Sequence, residues 1–269
     1  MQQFMKLNIV VLMKQVPDTQ CVCQDTLNAD GTINRAALPT IINPDDNVAL
    51  EQALRLKEQF AGSKVTVLTM GLPTAQVVVK EGLYRGADAG YVLCDAQFAG
   101  SDTLATSQVL SAAIKQLGSV DLIFAGQQTL DGDTAHVGPQ VACMLDIPAI
   151  TAASAVRMTD AANVEVKRWV DEGAEVVQST LPALVTMNVV AMELRPRHAK
   201  WVMTHKNTAI EQWTAADLNM DVTKCGLHGS ATQVTQTTPI ILQKKEQVCF
   251  AADDMEALVD LLQEGGVIS

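Results

Sequence analysis

The chain has 269 residues, of which 48% are hydrophobic and only 4% aromatic, and a formal net charge of −11. That length fits one large domain or one domain with extensions, and the core must be built mainly of Val, Leu, Ile, Ala and Met. So large an acid excess argues against a nucleic-acid or anionic-membrane surface and suits docking to a basic patch on another protein.

Leu7–Met13 is a short apolar run without a small-residue cleavage site, and it leads directly into Lys14. It reads as a buried first strand rather than a signal peptide. No apolar run approaches the ~20 residues that span a bilayer, so the expected location is the cytoplasm, with no membrane contact. Asp25–Arg35, with its Asp30-Gly31 turn, reads as a hairpin excursion. Asp46–Phe60 carries the apolar stripe of a helix (Val48, Ala49, Ala53, Leu54, Leu56, Phe60), with Asp45 or Asp46 available as a cap. Strands follow at Lys64–Met70, Gly90–Cys94 and Val120–Ala125, separated by helices at Thr74–Tyr84 and Asp102–Leu117. A helix is expected at Thr134–Leu145 and a further strand at Ala149–Val156. Val164–Val170 and Ala174–Val177 alternate about an Asp171-Glu172-Gly173 turn, the pattern of an antiparallel hairpin, and the apolar strand Ala183–Met187 follows.

Six cysteines (21, 23, 94, 143, 225, 249) form no Cys-x-x-Cys pair, and the four histidines (136, 198, 205, 228) are dispersed, so no metal site is expected. Continuous apolar runs alternating with helices indicate an α/β fold. The expectation is a doubly wound, mostly parallel sheet with helices on both faces, an added antiparallel hairpin and a long C-terminal arm. The expected division is a nucleotide-binding α/β domain over 1–191 and, over 192–269, a polar region that wraps a partner and ends in a helix at Asp253–Leu262. A free tail is the alternative for that region.

In such sheets ligands bind beyond the carboxyl ends of the strands. This places Met13–Val16, Asn43–Asp46, Met70–Pro73 and Gly126–Thr134 around one site, with Phe98–Thr103 able to close over it. The segment Ala125–Gln140 carries the strongest signal: a strand, a glycine-bearing loop and a helix start together make an anion-binding corner. Gly126 and Gly132 would let the backbone approach a ligand closely. Asp131 and Asp133 would repel a phosphate unless they cap the helix or hold a ribose hydroxyl, Asp131 being the better placed for the ribose. Binding then falls to backbone N–H groups and Thr134. Asn43 and Pro44 read equally as a turn into the helix and as a nucleotide contact.

The positions Gly126, Gln128, Asp131, Gly132, Asp133, Thr134, Val137, Gly138 and Pro139 reproduce a long pattern. In it the chain resembles the electron-transfer flavoprotein beta subunit. The resemblance extends to Lys14–Thr19, to Ile42–Asp46, and to the hairpin signature from Val166 and Arg168 through Leu181-Pro182 to Thr186. Phe98–Ser107 and Gly226–Thr232 resemble segments of the members that hold FAD, the electron-bifurcating group, whereas AMP-holding members tend to carry bulkier polar residues at the Gly132 and Ala135 positions. The resemblance implies cofactor contacts at Leu12, Asn43, Met70, Thr103, Thr106, Gly126, Gln128, Asp131, Gly132, Asp133, Thr134, Ala135, His136, Val137, Ser230 and Thr232. A helix cap or turn bond is the plainer role for each hydroxyl among them.

By the same resemblance the cofactor is FAD, with AMP as the alternative, and NADH is the electron donor. The partners implied are an electron-transfer flavoprotein alpha subunit in a heterodimer, an acyl-CoA dehydrogenase-type redox protein, and ferredoxin or flavodoxin as a low-potential acceptor. Met192–Trp201 falls where the family carries a loop that recognises acyl-CoA dehydrogenases. Arg168 reads as a salt-bridge residue of the hairpin and not as part of flavin chemistry. Two positions depart from the family pattern: Gln127 stands where a basic residue is usual, and His136 where Gln is usual. A stand-alone α/β nucleotide-binding module and a subunit with purely structural AMP are the competing readings.

Overall fold

The computed structural model describes residues 6–18, 20, 39–188, 192–233, 249–251 and 255–267. The hairpin expected at Asp25–Arg35 lies outside them. The chain forms two compact units, Met1–Thr235 and Gln236–Ser269.

In the first unit the elements run β1 (Asn8–Leu12), β2 (Gln15–Pro17), β3 (Thr40–Ile42), α1 (Pro44–Gln59), β4 (Lys64–Met70), α2 (Gln76–Arg85), β5 (Ala89–Leu93) and α3 (Thr103–Leu117). They continue as β6 (Leu122–Gly126), α4 (Val137–Leu145), β7 (Ala149–Met158), β8 (Asn163–Val170), β9 (Gly173–Thr180), β10 (Ala183–Met187), α5 (Ala199–His205), β11 (Glu211–Trp213) and α6 (Gly226–Gly229). Nine strands form one sheet in the order β11-β5-β4-β1-β6-β10-β7-β8-β9, and β2 and β3 form a separate antiparallel pair. Pairing is parallel from β11 to β7 and antiparallel from β7 to β9. The chain is therefore α/β with a mostly parallel sheet and an added antiparallel hairpin, as its residue pattern predicts.

Strand alternation divides the core. Ile9 and Val11 of β1 face one cluster with Val48, Leu50 and Leu54 of α1 and Val78 and Val79 of α2. Val10 and Leu12 face the other, with Val109, Leu110 and Ile114 of α3 and Val141 of α4. Such two-sided burial is why these strands are unbroken apolar runs. From β1 the chain passes outward to β4 and β5, then returns to the other side of β1 as β6. That reversal opens a crevice at the carboxyl ends of β1 and β6.

The chain after Met192 supplies α5 and β11 to the first unit. Trp213 of β11 stacks on Tyr91 of β5 at 4.0 Å between ring centroids. A three-residue strand is too short to display alternation. One helix boundary differs from expectation. Helix α4 begins at Val137 rather than Thr134, because Asp133 (φ 50°) and Ala135 (φ 54°) adopt left-handed geometry that no helix contains. In the second unit, helix α7 (Met255–Glu264) leaves Val259 and Leu261 exposed. Among the described residues no helix is long and apolar enough to cross a membrane.

Candidate functional site

A cleft of about 570 Å³ opens at the crevice beyond β1 and β6, within the size range of small-molecule sites. Its floor is apolar, from Leu12, Leu68, Met70, Phe98, Leu110 and Ala125. One wall is the loop 126–137; the other is the segment 98–106 that leads into α3. Of the residues implied by resemblance, Leu12, Met70, Thr103, Thr106, Gly126, Gln128, Asp131, Gly132, Thr134, Ala135, His136 and Val137 line this one cleft.

Asn43, Asp133, Ser230 and Thr232 do not line it. Asn43 is buried and secures the loop from below: its Nδ2 donates to the Gln128 carbonyl at 2.8 Å, and its Oδ1 accepts from the Leu130 N–H at 3.3 Å. It precedes α1 without capping it through its side chain. Ser230 and Thr232 hydrogen-bond to Asp102 at the edge of the cleft. Ser230 Oγ accepts from the Asp102 N–H at 2.8 Å, and Thr232 donates to Asp102 Oδ2 through its N–H (2.9 Å) and its hydroxyl (3.0 Å). Their turn reaches the rim because Gly226 has φ 55° and an added Cβ would sit 2.4 Å from the Gln97 carbonyl oxygen.

The two glycines of the loop have different reasons to be glycine. A Cβ on Gly126 would lie 2.3 Å from Asp46 Oδ1 and 2.7 Å from Asp45 Cβ, so its close approach is to α1 and not to a ligand. A Cβ on Gly132 would meet only Thr129 Oγ1, at 3.5 Å. Nothing in the protein requires Gly132, and its exposed backbone is open to the cleft.

Asp46 anchors the loop. Its carboxylate accepts from the Lys14 N–H (2.7 Å), the Gly126 N–H (3.0 Å) and Asn43 Nδ2 (3.1 Å), which joins the ends of β1 and β6 to the start of α1. Burial pushes its pKa up to about 7 against the pull of those donors. Both oxygens of Asp131 accept from the Lys14 ammonium, at 2.8 and 2.7 Å, and each keeps a further lone pair. Burial would raise its pKa, but the Lys14 bonds and charge, with Thr129, hold it below the usual carboxylate range. Neither Asp131 nor Asp133 caps α4: its N-cap is His136, and no side chain closes that end. The first-turn N–H groups thus face the cleft's polar wall. On the other wall Asp102 caps α3 by accepting from the Ala105 N–H at 3.0 Å, so the hydroxyls of Thr103 and Thr106 are not used as caps.

Residues 30–218 match the family model described as the electron transfer flavoprotein domain. The chain is similar to the electron transfer flavoprotein subunit beta of Thermoanaerobacterium thermosaccharolyticum, 39% identical with 96% of this chain and 97% of that protein covered. It belongs to the electron transfer flavoprotein beta-subunit family. It is also similar to the caffeyl-CoA reductase-Etf complex subunit CarD of Acetobacterium woodii (40% identical; 85% of this chain and 86% of that protein). The acryloyl-CoA reductase electron transfer subunit gamma of Anaerotignum propionicum is 39% identical over 96% of this chain and 97% of that protein.

For a chain of this family, two further features stand out. Lys14, Asp46 and Asp102 are site residues that the sequence did not single out as ligand contacts, although Lys14 and Asp46 lie in loops assigned to the strand ends. The arginines of the segment around Met192–Trp201 are engaged in ion pairs within the chain, Arg197 with its side chain still exposed. Arg195 pairs with Glu51 (2.8 Å) and Glu58 (2.6 Å), and Arg197 with Glu81 (2.8 Å). Leu194, Val77 and Leu72 remain exposed there, beside a groove lined by Ile41, Ile42 and Met192. Arg168 pairs with Glu175 across the β8–β9 hairpin, the structural role expected of it.

Proposed function

We propose that this chain is the nucleotide-holding half of a heterodimeric electron carrier and that its cleft takes FAD. One observation carries the choice of FAD: the cleft has two polar walls, not one. The loop 126–137 offers backbone N–H groups to phosphate. Thr103 and Thr106 add to the same cleft hydroxyls that are not used for capping. A mononucleotide needs only the first wall; a dinucleotide uses both.

The residues fit such a group. Leu12, Met70 and Phe98 would exclude water from a flat ring, and Asn43 and Asp46 would hold the loop in place. When bound, FAD would supply hydride and one-electron chemistry; the chain would position it and set the polarity around it. This reading takes NADH as donor, an acyl-CoA dehydrogenase-type or low-potential ferredoxin or flavodoxin acceptor, and a cytoplasmic setting. The relatives' names, subunits of reductase and electron-transfer complexes, support an alpha-subunit partner over a stand-alone module. The residues from 236 onward, with exposed Val259 and Leu261, and the apolar groove beside Leu194 are the surfaces this reading gives to partners.

The test is cofactor stoichiometry in the heterodimer purified with its alpha subunit. Two FAD per heterodimer, with flavin absorbance bleached by NADH, is the expected result. One FAD and one AMP would overturn it and leave a subunit whose nucleotide is structural.

A further inference from the structure

We infer that Lys14 sets the cleft's preference for phosphate-bearing ligands by masking the Asp131 carboxylate. This rests on the nucleotide reading above and adds a role for a specific pair within it.

The cleft poses an electrostatic problem. Three carboxylates line it, Asp46, Asp102 and Asp131, in a chain of net charge −11. Asp46 and Asp102 are turned to N–H donors of the protein. Asp131 sits on the very loop whose N–H groups would receive phosphate, and its main ionic partner is Lys14. Among the described lining residues, Lys14 is the one permanent cation, His136 being the other basic side chain. Gln127, the other long side chain at the end of β6, brings no charge, and its Oε1 is buried without a hydrogen-bond partner.

The two side chains of the pair differ in exposure. The Asp131 side chain is 16% exposed and that of Lys14 44%. The carboxylate is thus the more buried partner of the pair, and both residues line the cleft. An ammonium has three N–H donors. Two of them are spent on the Asp131 oxygens, which is what masks the carboxylate. Lys14 is also held at its backbone, where its N–H donates to Asp46 Oδ2 at 2.7 Å. Its side chain spans from the end of β1 to a loop 117 positions later. A residue so fixed adds positive charge at small entropic cost on binding.

The probes are AMP and adenosine, which differ only in phosphate, titrated against the heterodimer after its exchangeable nucleotide has been dialysed out. Lys14→Met is expected to weaken AMP binding about tenfold or more, because it leaves Asp131 unpaired beside the phosphate. Adenosine binding should hold within about twofold. The double variant Lys14→Met/Asp131→Asn should regain most of the AMP affinity, since position 131 then carries no charge to mask. Lys14→Arg, which keeps the charge, should retain the preference for AMP. An unchanged AMP-to-adenosine ratio in Lys14→Met would overturn the inference. So would a double variant as weak as the single one, which would make Lys14 a direct phosphate ligand and not a mask. A wild-type complex that binds neither AMP nor FAD would instead sink the nucleotide reading itself.

Discussion

The cleft and the outer face of α1 and α2 both gather acidic side chains, but they balance them differently. On the outer face Glu51, Glu58 and Glu81 meet Arg55, Arg85, Arg195 and Arg197, so that each acid has a guanidinium. In the cleft Asp46 and Asp102 are balanced mainly by N–H groups, and Lys14 is the one permanent cation among the described lining residues. Ion pairs of this kind fix a segment in place by matching each acid to a guanidinium. A site satisfied by N–H donors and one lysine keeps a surplus of donors at its surface. The comparison separates what holds the chain together from what is available to bind.

The sharpest break should come from Gly126→Ala. Its Cβ would strike Asp46 and Asp45, where the two walls of loop and helix meet. Overpacking of this kind costs about 1–3 kcal/mol, and the cleft should lose its nucleotide as the Asp46 bonds separate. Thermal unfolding and released-nucleotide content measure both effects; a variant with native stability would show that α1 yields freely. Arg195→Ala should have a somewhat smaller effect, about 1–2 kcal/mol for charged hydrogen bonds to a buried acid that still keeps Arg55. Nucleotide content should not change, which would confine the outer network to structure.

Glu51 supplies a pH signature for that variant. Burial raises its pKa, but the Arg195 and Arg55 bonds outweigh it and hold the carboxyl below its usual 4.5. A depressed acid stabilises the fold above its unfolded pKa and loses that contribution as the pH falls through its folded value. The acid limb of the stability curve, below about pH 4.5, should therefore be shallower in Arg195→Ala than in the parent chain. The smallest effect on the fold is expected from Gly132→Val, because only Thr129 Oγ1 lies near the added Cβ. Stability should change by no more than about 0.5 kcal/mol. Loss of the bound nucleotide against that unchanged stability would mark Gly132 as a contact; full retention would move the ligand's phosphate elsewhere in the cleft.

The sheet was legible because buried parallel strands such as Val10–Leu12 and Leu122–Ala125 must be apolar on both faces. The loop was legible because Gly126, Asp131 and Gly132 punctuate the chain where a strand ends. The balance of that loop was not. Asp46 has the look of a helix cap, and only the fold shows that its oxygens are taken by Lys14 and Gly126 N–H groups. The pairing of Lys14 with Asp131 joins residues too distant in sequence for any local pattern. Thr134 invited an early helix start because it follows an aspartate, yet the left-handed geometry at Asp133 and Ala135 postpones it. Ser230 and Thr232 resembled ligand contacts, and the structure gives their hydrogen bonds to Asp102.

Strand β10 lies between β6 and β7, although it follows both in the chain. The nucleotide loop depends on this latecomer: Gly126 is in register with Met187, and the Gln127 N–H donates to the Met187 carbonyl at 2.8 Å. During synthesis the chain emerges from its N-terminus at about 5–20 residues per second. The loop residues are therefore exposed for several seconds before the strand that anchors them has been made. A nascent chain that ends short of Met187 carries the whole glycine-rich motif and already has Asp46, but still lacks the strand that takes the Gln127 N–H. The geometry proposed to receive a nucleotide is thus complete only once β10 has been made, whatever the position of the glycine-rich motif in the message.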